Sequence, residues 1–418
     1  MSETKAVAKN TVFQFLGKVV TMAISMAVTA TLTRNYGVEG YGIFSLIVGF
    51  PALFYIISDF GFNAIATRDL SVKESQINEY LGNIILIRLI ISAFLILLAG
   101  GILYFFNYPL QVKFGILIGL FTILTTALYS TSNIGFQVKL RYDLSNIANS
   151  VGTLIVPIVI ALMIFYKTPV FYIGLANVLS GFATVLLCYY MLSKLGIYPK
   201  FSYNSKLVSS LVRSSFPIGL MFIFSQINFK ADSIMLSVLP LPGELGLSNI
   251  QAVGVYGLPY KIFEVALVVP TFFMNSVYPI MVRHLAHSKE KLLRTFKKVM
   301  LTLFIAGGLC GLVGILFSDF AISVLGGSGF GPSVDVLKIL LGFMFIFYLT
   351  QPIAWLIVTL GGQKYLPYIY FIASVVNLSL NYILIPRYSF FASANITWIS
   401  ELVILVLLSL TARKLVSK

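Results

Sequence analysis

Charge is what this sequence has least of. Of its 418 residues, 10% are Asp, Glu, Lys or Arg and 58% are hydrophobic, whereas a soluble chain carries roughly 25% charged residues. That balance excludes a soluble globular enzyme, a disordered chain and a secreted disulfide scaffold. Cysteine is nearly absent: Cys188 and Cys310 both lie in apolar runs and read as packing residues, not as a disulfide or metal framework. Histidine is confined to His284 and His287, one turn apart in a basic stretch with only Glu290 nearby, which reads as a solvated loop. There is no Gly-rich phosphate loop followed by Lys-Ser/Thr and no zinc-type His and Glu spacing. No enzymatic role, cofactor or metal is therefore expected. Long polar stretches are missing too, so the net charge of +15 has no module in which to bind nucleic acid. Basic loops at a membrane explain it better.

What is present is apolar length. A helix needs about 20 apolar residues to cross a bilayer, and about twelve segments meet that need: 11–33, 41–58, 80–104, 114–137, 149–166, 169–192, 211–238, 253–282, 297–318, 334–360, 366–386 and 391–412. They lack the period-two alternation of a membrane barrel, so the expected fold is an all-α, multi-pass membrane protein. The polar residues 1–10 lead into the first span with no small-residue cleavage site, as in a first membrane helix and not a signal peptide. With the N-terminus inside, twenty of the 29 Lys and Arg fall on the cytoplasmic side. Only Arg34, Lys113, Lys167, Lys338 and Arg387 fall opposite. The positive-inside rule then places both termini in the cytoplasm.

The break at 193–210 is polar, basic and central, which suggests two six-helix lobes, 1–198 and 199–418, joined by a cytoplasmic linker. Tyr41-Gly42 and Tyr256-Gly257, and likewise Arg68 and Arg283, share one offset of 215 residues, the mark of a parallel repeat. Ionisable residues inside spans are costly and point to function. They are Lys18, Arg88, Lys230, Asp232, Lys261, Glu264 and Glu401. Lys18 and Arg88 lie roughly 10 Å inside the cytoplasmic face and either snorkel or line a cavity. Lys261 and Glu264 share a helix face, whereas Lys230 and Asp232, two apart, do not. Gln226 and Asn228 accompany them, and further amides, among them Asn83, Asn377 and Asn381, should point away from lipid. Prolines at 51, 157, 217, 259, 270 and 352 mark candidate bends.

The opening "KNTVFQFLGKVVTMAISMAVTATLTRNYGVEGYGIFSLIVGF" and the following "ISDFGFNAIATRDLS" resemble the polysaccharide-transporter (oligosaccharide flippase) family. The second half repeats the likeness with "FPIGLMFIFSQINFKADSIMLSVL" and "AVGVYGLPYKIFE". The resemblance covers essentially the whole chain. It implies the multidrug, oligosaccharidyl-lipid and polysaccharide exporter superfamily, whose two six-helix lobes form a V around a central cavity lined largely by spans 1, 2, 7 and 8. It also implies flipping of polyprenyl-pyrophosphate-linked glycans. Lys18, Lys230, Asp232, Lys261 and Glu264 fall on the expected lining spans, and Arg88 matches a basic position of the third span.

The expected activity is thus translocation of a lipid-linked oligosaccharide across the cell membrane by alternating access. Lys18, Arg88, Lys230 and Lys261 would attract the pyrophosphate, and Gln226 and Asn228 would bind sugar hydroxyls. Asp232, Glu264 and Glu401 are candidates for ion coupling: burial favours the neutral acid, and a nearby Lys230 or Lys261 restores the ion. Membrane lipid and the glycosyltransferases or polymerase of the same pathway are the expected partners, and a monomer is expected. The alternative is a cation-coupled drug or metabolite exporter of the same superfamily. A membrane glycosyltransferase would need charged, sizeable outer loops, which this chain lacks.

Overall fold

The computed structural model describes residues 3–70 and 73–417, with side chains from Gly17 onward. Helix accounts for nearly all of it, and no strand occurs among the described residues. Ten helical runs are long and apolar enough to cross a membrane, and two of these are double. The first, Glu3–Asp59, breaks at Gly37, whose φ of 66° and ψ of −164° suit only glycine. The last, Leu366–Val416, breaks at Ser389 (φ 50°). A straight run of the 54 residues from Gly17 to Leu70 would extend about 80 Å, over twice the hydrocarbon thickness. Each double run therefore supplies two spans.

This gives twelve: α1 (3–36), α2 (38–59), α3 (Ile77–Tyr104), α4 (Leu110–Val138), α5 (Tyr142–Phe165), α6 (Val170–Lys194), α7 (Ser205–Val238), α8 (Asn249–His287), α9 (Lys289–Leu316), α10 (Ser328–Thr359), α11 (366–388) and α12 (390–416). Each contains nearly all of one expected span, with ends shifted by a few residues. The chain is an all-helical, multi-pass membrane protein. Two breaks follow from proline, whose ring clashes with the carbonyl four residues back. Helix α5 is interrupted at Leu154, ahead of Pro157, and α8 at Leu267, ahead of Pro270.

Two segments between the expected spans are partly helical. The short helix Phe62–Leu70 carries apolar residues at 62, 65, 66 and 70, the spacing of one buried face. All four are buried in one apolar cluster with Ile77, Tyr80, Leu81, Phe136 and Leu192. Ser318–Leu325 forms a second short helix.

The chain divides into two compact units. Unit 1 comprises Met1–Asn35 and Ile43–Ile223, and unit 2 comprises Tyr36–Gly42 and Phe224–Lys418. The division falls within α7, beyond the expected linker. The linker belongs to unit 1 because α3 holds its backbone: Lys200 N donates to Asn78 O (2.8 Å), Tyr198 N to Asn78 Oδ1 (2.9 Å) and Asn204 N to Asn83 Oδ1 (2.8 Å). Asn83 thus binds the linker and does not glue two membrane helices together.

In unit 2 the turn between α1 and α2 docks on α8 through glycines. A Cβ at Gly42 would lie 2.0 Å from Ile250 O, and one at Gly254 would lie 2.1 Å from Val38 O. Only hydrogen side chains allow backbones so close. Tyr41 meets Phe330 edge to face beside them.

Candidate functional site

Inside unit 2, helices α7, α8, α11 and α12 each place polar side chains around Asp232. This residue is 1% exposed. Its Oδ2 accepts hydrogen bonds from the Tyr256 hydroxyl (3.0 Å) and the Thr397 hydroxyl (3.0 Å), and its Oδ1 accepts from Asn381 Nδ2 (2.7 Å). Around these, Ser393 donates to Asn381 Oδ1 (3.1 Å) and Asn377 Nδ2 to Ser400 Oγ (3.3 Å). Tyr256, Asn377, Asn381 and Ser393 are fully buried. Helical geometry explains the convergence, since Asn377 and Asn381 are four apart on α11, and Ser393, Thr397 and Ser400 recur at four and three on α12.

No ion pair among the described residues involves Asp232. The lysine neighbour expected for it is absent, because Lys230 points to another face of α7, as a two-residue separation dictates. Ionised carboxylate held only by neutral donors costs several kcal/mol when buried. The cluster therefore presents one carboxyl group without a counter-charge among hydroxyl and amide oxygens. Among the described residues no group of three His, Cys, Asp or Glu is placed to hold a metal ion.

Lys230 reaches α8 instead. Its Nζ lies 2.5 Å from Glu264 Oε1 and over the Tyr260 ring, and Lys261 Nζ lies 3.6 Å from Glu264 Oε2. All three are partly exposed, at 24% for Lys230, 29% for Glu264 and 35% for Lys261. One carboxylate between two ammonium groups leaves a net charge of +1, open enough to meet an anion. Asn228 Nδ2 donates to Ser374 Oγ (3.0 Å) and Phe224 O (3.0 Å), tying α7 to α11, while its buried Oδ1 has no hydrogen-bond partner among the described residues. Gln226 is half-buried on the same helix. Glu401 is buried and accepts a hydrogen bond from Thr350 on α10.

Arg88 and Lys18, both in unit 1, meet different fates. Arg88 is fully buried and pairs with Asp59, which the hydropathy left just outside its span. It also donates to Thr131 Oγ1 (2.7 Å), Ala127 O (3.1 Å) and Asn63 Oδ1 (3.0 Å). Ser130 donates to the same Asp59 oxygen (3.0 Å). The guanidinium ties α2, α3 and α4 together. Lys18 is exposed, and no ion pair among the described residues involves it. The sequence reading missed Asp59, Tyr256 and Thr397. Tyr and Thr are too common in membrane helices to stand out, but their spacing against Asp232 becomes evident once α8 and α12 meet α7.

The sequence profile of polysaccharide biosynthesis proteins matches residues 7–285. The chain belongs to that family. A second profile, MatE, matches residues 217–383. No curated protein matches the sequence. Among solved structures, a lipid II flippase, MurJ, in an inward closed conformation is similar at 15% identity and a TM-score of 0.75, over 96% of this chain and 87% of that one. An inward-facing multidrug resistance MATE family transporter of the MOP superfamily is similar at 13% identity and a TM-score of 0.73, over 95% and 94%. A MOP superfamily transporter from Pyrococcus furiosus gives 14% and 0.67, over 99% and 96%. These likenesses establish a MOP-type transporter fold for this member of the polysaccharide biosynthesis family.

Proposed function

We propose that the protein flips a polyprenyl-pyrophosphate-linked oligosaccharide from the cytoplasmic to the outer leaflet of the cell membrane, by alternating access, with both termini in the cytoplasm. The family match and the likeness to a lipid II flippase support the cargo class. The observation that carries the mechanism is the buried Asp232, held by neutral donors and without a basic partner. Such a site is stable when a proton or alkali cation occupies it, so its occupancy provides the ion coupling. The Lys230–Glu264–Lys261 group and the exposed Lys18 attract the pyrophosphate by charge. Arg88 serves by positioning the helices of unit 1.

The test is a proteoliposome assay of flipping with a lipid-linked oligosaccharide, under imposed Na⁺ or pH gradients. Wild-type flipping should rise with one gradient, and Asp232→Asn should remove that dependence. Flipping indifferent to both gradients in the wild type would refute coupling. The second reading, a cation-coupled drug or metabolite exporter, is favoured by the MatE match over α7 to α11. Transport of an amphipathic cation with no flipping of lipid-linked glycan would select it.

A further inference from the structure

Unit 1 contains a cavity of about 240 Å³ that none of the charged residues above enters. Helices α2, α4, α5 and α6 line it, at stretches 122–129 of α4 and 177–184 of α6 that lie near mid-helix. Its walls carry the hydroxyls of Thr126 and Ser180, the amides of Asn149 and Asn177, and the rings of Tyr55 and Tyr129. Polar groups at that depth are costly unless something bonds them. Some are already bonded: Asn177 Nδ2 donates to Ile173 O (3.0 Å), leaving its Oδ1 as an acceptor. The side chains of Thr126, Asn149 and Ser180 make no hydrogen bond to any described residue, and all three are half-buried.

We propose that this cavity is a saccharide subsite, holding one uncharged sugar ring of the transported glycan; this rests on the flippase reading above. Three features select that chemistry. No lining residue is charged, so neither an organic cation nor a phosphate finds a counter-charge there. The volume lies below the roughly 300–1,000 Å³ of pockets for drug-sized ligands, which suits a single ring. Paired donors and acceptors beside two aromatic faces match a sugar, whose hydroxyls both donate and accept and whose C–H face packs on a ring. The Thr126 and Ser180 hydroxyls would each exchange one hydrogen bond with ring hydroxyls, and the Asn149 amide would offer two more.

The full chain in lipid nanodiscs can be titrated with neutral methyl glycosides, read by ligand-detected saturation-transfer NMR. Tetraphenylphosphonium serves as a competitor and Ser180→Leu as a pocket-filling variant. At least one glycoside should bind saturably, and tetraphenylphosphonium should not displace it. Thr126→Val should weaken binding by about tenfold, the loss of one hydrogen bond, and Asn149→Leu, which removes two, should weaken it by more. Thr126→Val conserves shape, so it keeps the comparison valid where Ser180→Leu fails to fold. Absence of saturable binding, binding untouched by Thr126→Val and Asn149→Leu, or displacement by the cation would overturn the subsite. Flipping of lipid-linked glycan is measured in parallel. Glycoside binding lost in the variants, beside a wild type that does not flip, would keep the subsite and refute the transport reading. Flipping that survives without any glycoside binding would do the reverse.

Discussion

Two buried charges in this chain are managed in opposite ways. Arg88 meets Asp59 and three neutral acceptors, and removing it leaves a carboxylate among helices without its partner. Breaking a buried pair costs about 3–5 kcal/mol; Asp59 is partly exposed, which favours the lower end. Arg88→Ala should therefore lower the thermal midpoint of the purified protein markedly, while Lys18→Ala should leave it unchanged. An equal midpoint in both would show that the Arg88 network contributes nothing. Asp232 has no such partner, so Asp232→Asn removes a charge without orphaning another. That variant should fold at least as stably as the wild type and lose only its gradient dependence. In the Lys230–Glu264–Lys261 group, Glu264→Gln should expose a second positive charge. Retention of the variant by immobilised pyrophosphate should rise, and should fall back with added salt.

The helices owe their breaks to single residues. Ser389 takes a left-handed φ of 50° that disfavours any side chain, and its buried hydroxyl has no hydrogen-bond partner among the described residues. Ser389→Gly removes both penalties and adds only the chain entropy of glycine. We expect it to raise stability by about 1 kcal/mol, seen as a higher thermal midpoint with transport intact. Gly254 is the opposite case. A methyl group there would lie 2.1 Å from the Val38 carbonyl, and backbone is slow to yield. Gly254→Ala should force the α1–α2 turn off α8 at a cost of about 1–3 kcal/mol. A midpoint equal to that of the wild type would mean that the turn re-docks without strain.

For the molecule as a whole, the distribution of lysine and arginine makes a topological prediction. Cys188 is buried, so with Cys310 replaced by Ala the chain offers a quiet background for labelling. A cysteine at Ser202, in the linker that α3 holds, should react with an impermeant maleimide only from the cytoplasmic side. One at Lys113, near the start of α4, should react only from outside. Reversed labelling would invert the orientation on which the proposed direction of flipping depends. The linker's attachment also changes its mechanical meaning. Hydrogen bonds donated by its backbone to Asn78 and Asn83 fix it to unit 1, so it is no free tether. The covalent passages between the units are within α7 and at both ends of the segment 36–42.

Hydropathy alone was enough for twelve helices, because a span's length and apolarity are set by bilayer thickness and not by neighbours. The pairing of Lys261 with Glu264 and the separation of Lys230 from Asp232 were equally legible, since both depend only on helical periodicity. Likewise local was the turn at Lys167, which falls between α5 and α6 with a left-handed φ. What neighbouring helices supply was not legible. Asp59 lay just outside its span until α3 brought Arg88 to it, and Asn83 was one inward-facing amide among several until the linker folded onto it. Tyr256 read only as a landmark of the repeat, and Thr397 as one residue among many, until α7, α8, α11 and α12 closed around Asp232. A one-dimensional pattern records the face a side chain occupies on its own helix. Which partner meets that face is a property of packing, and packing decided which charge is neutralised, which stays available, and which cavity is left open.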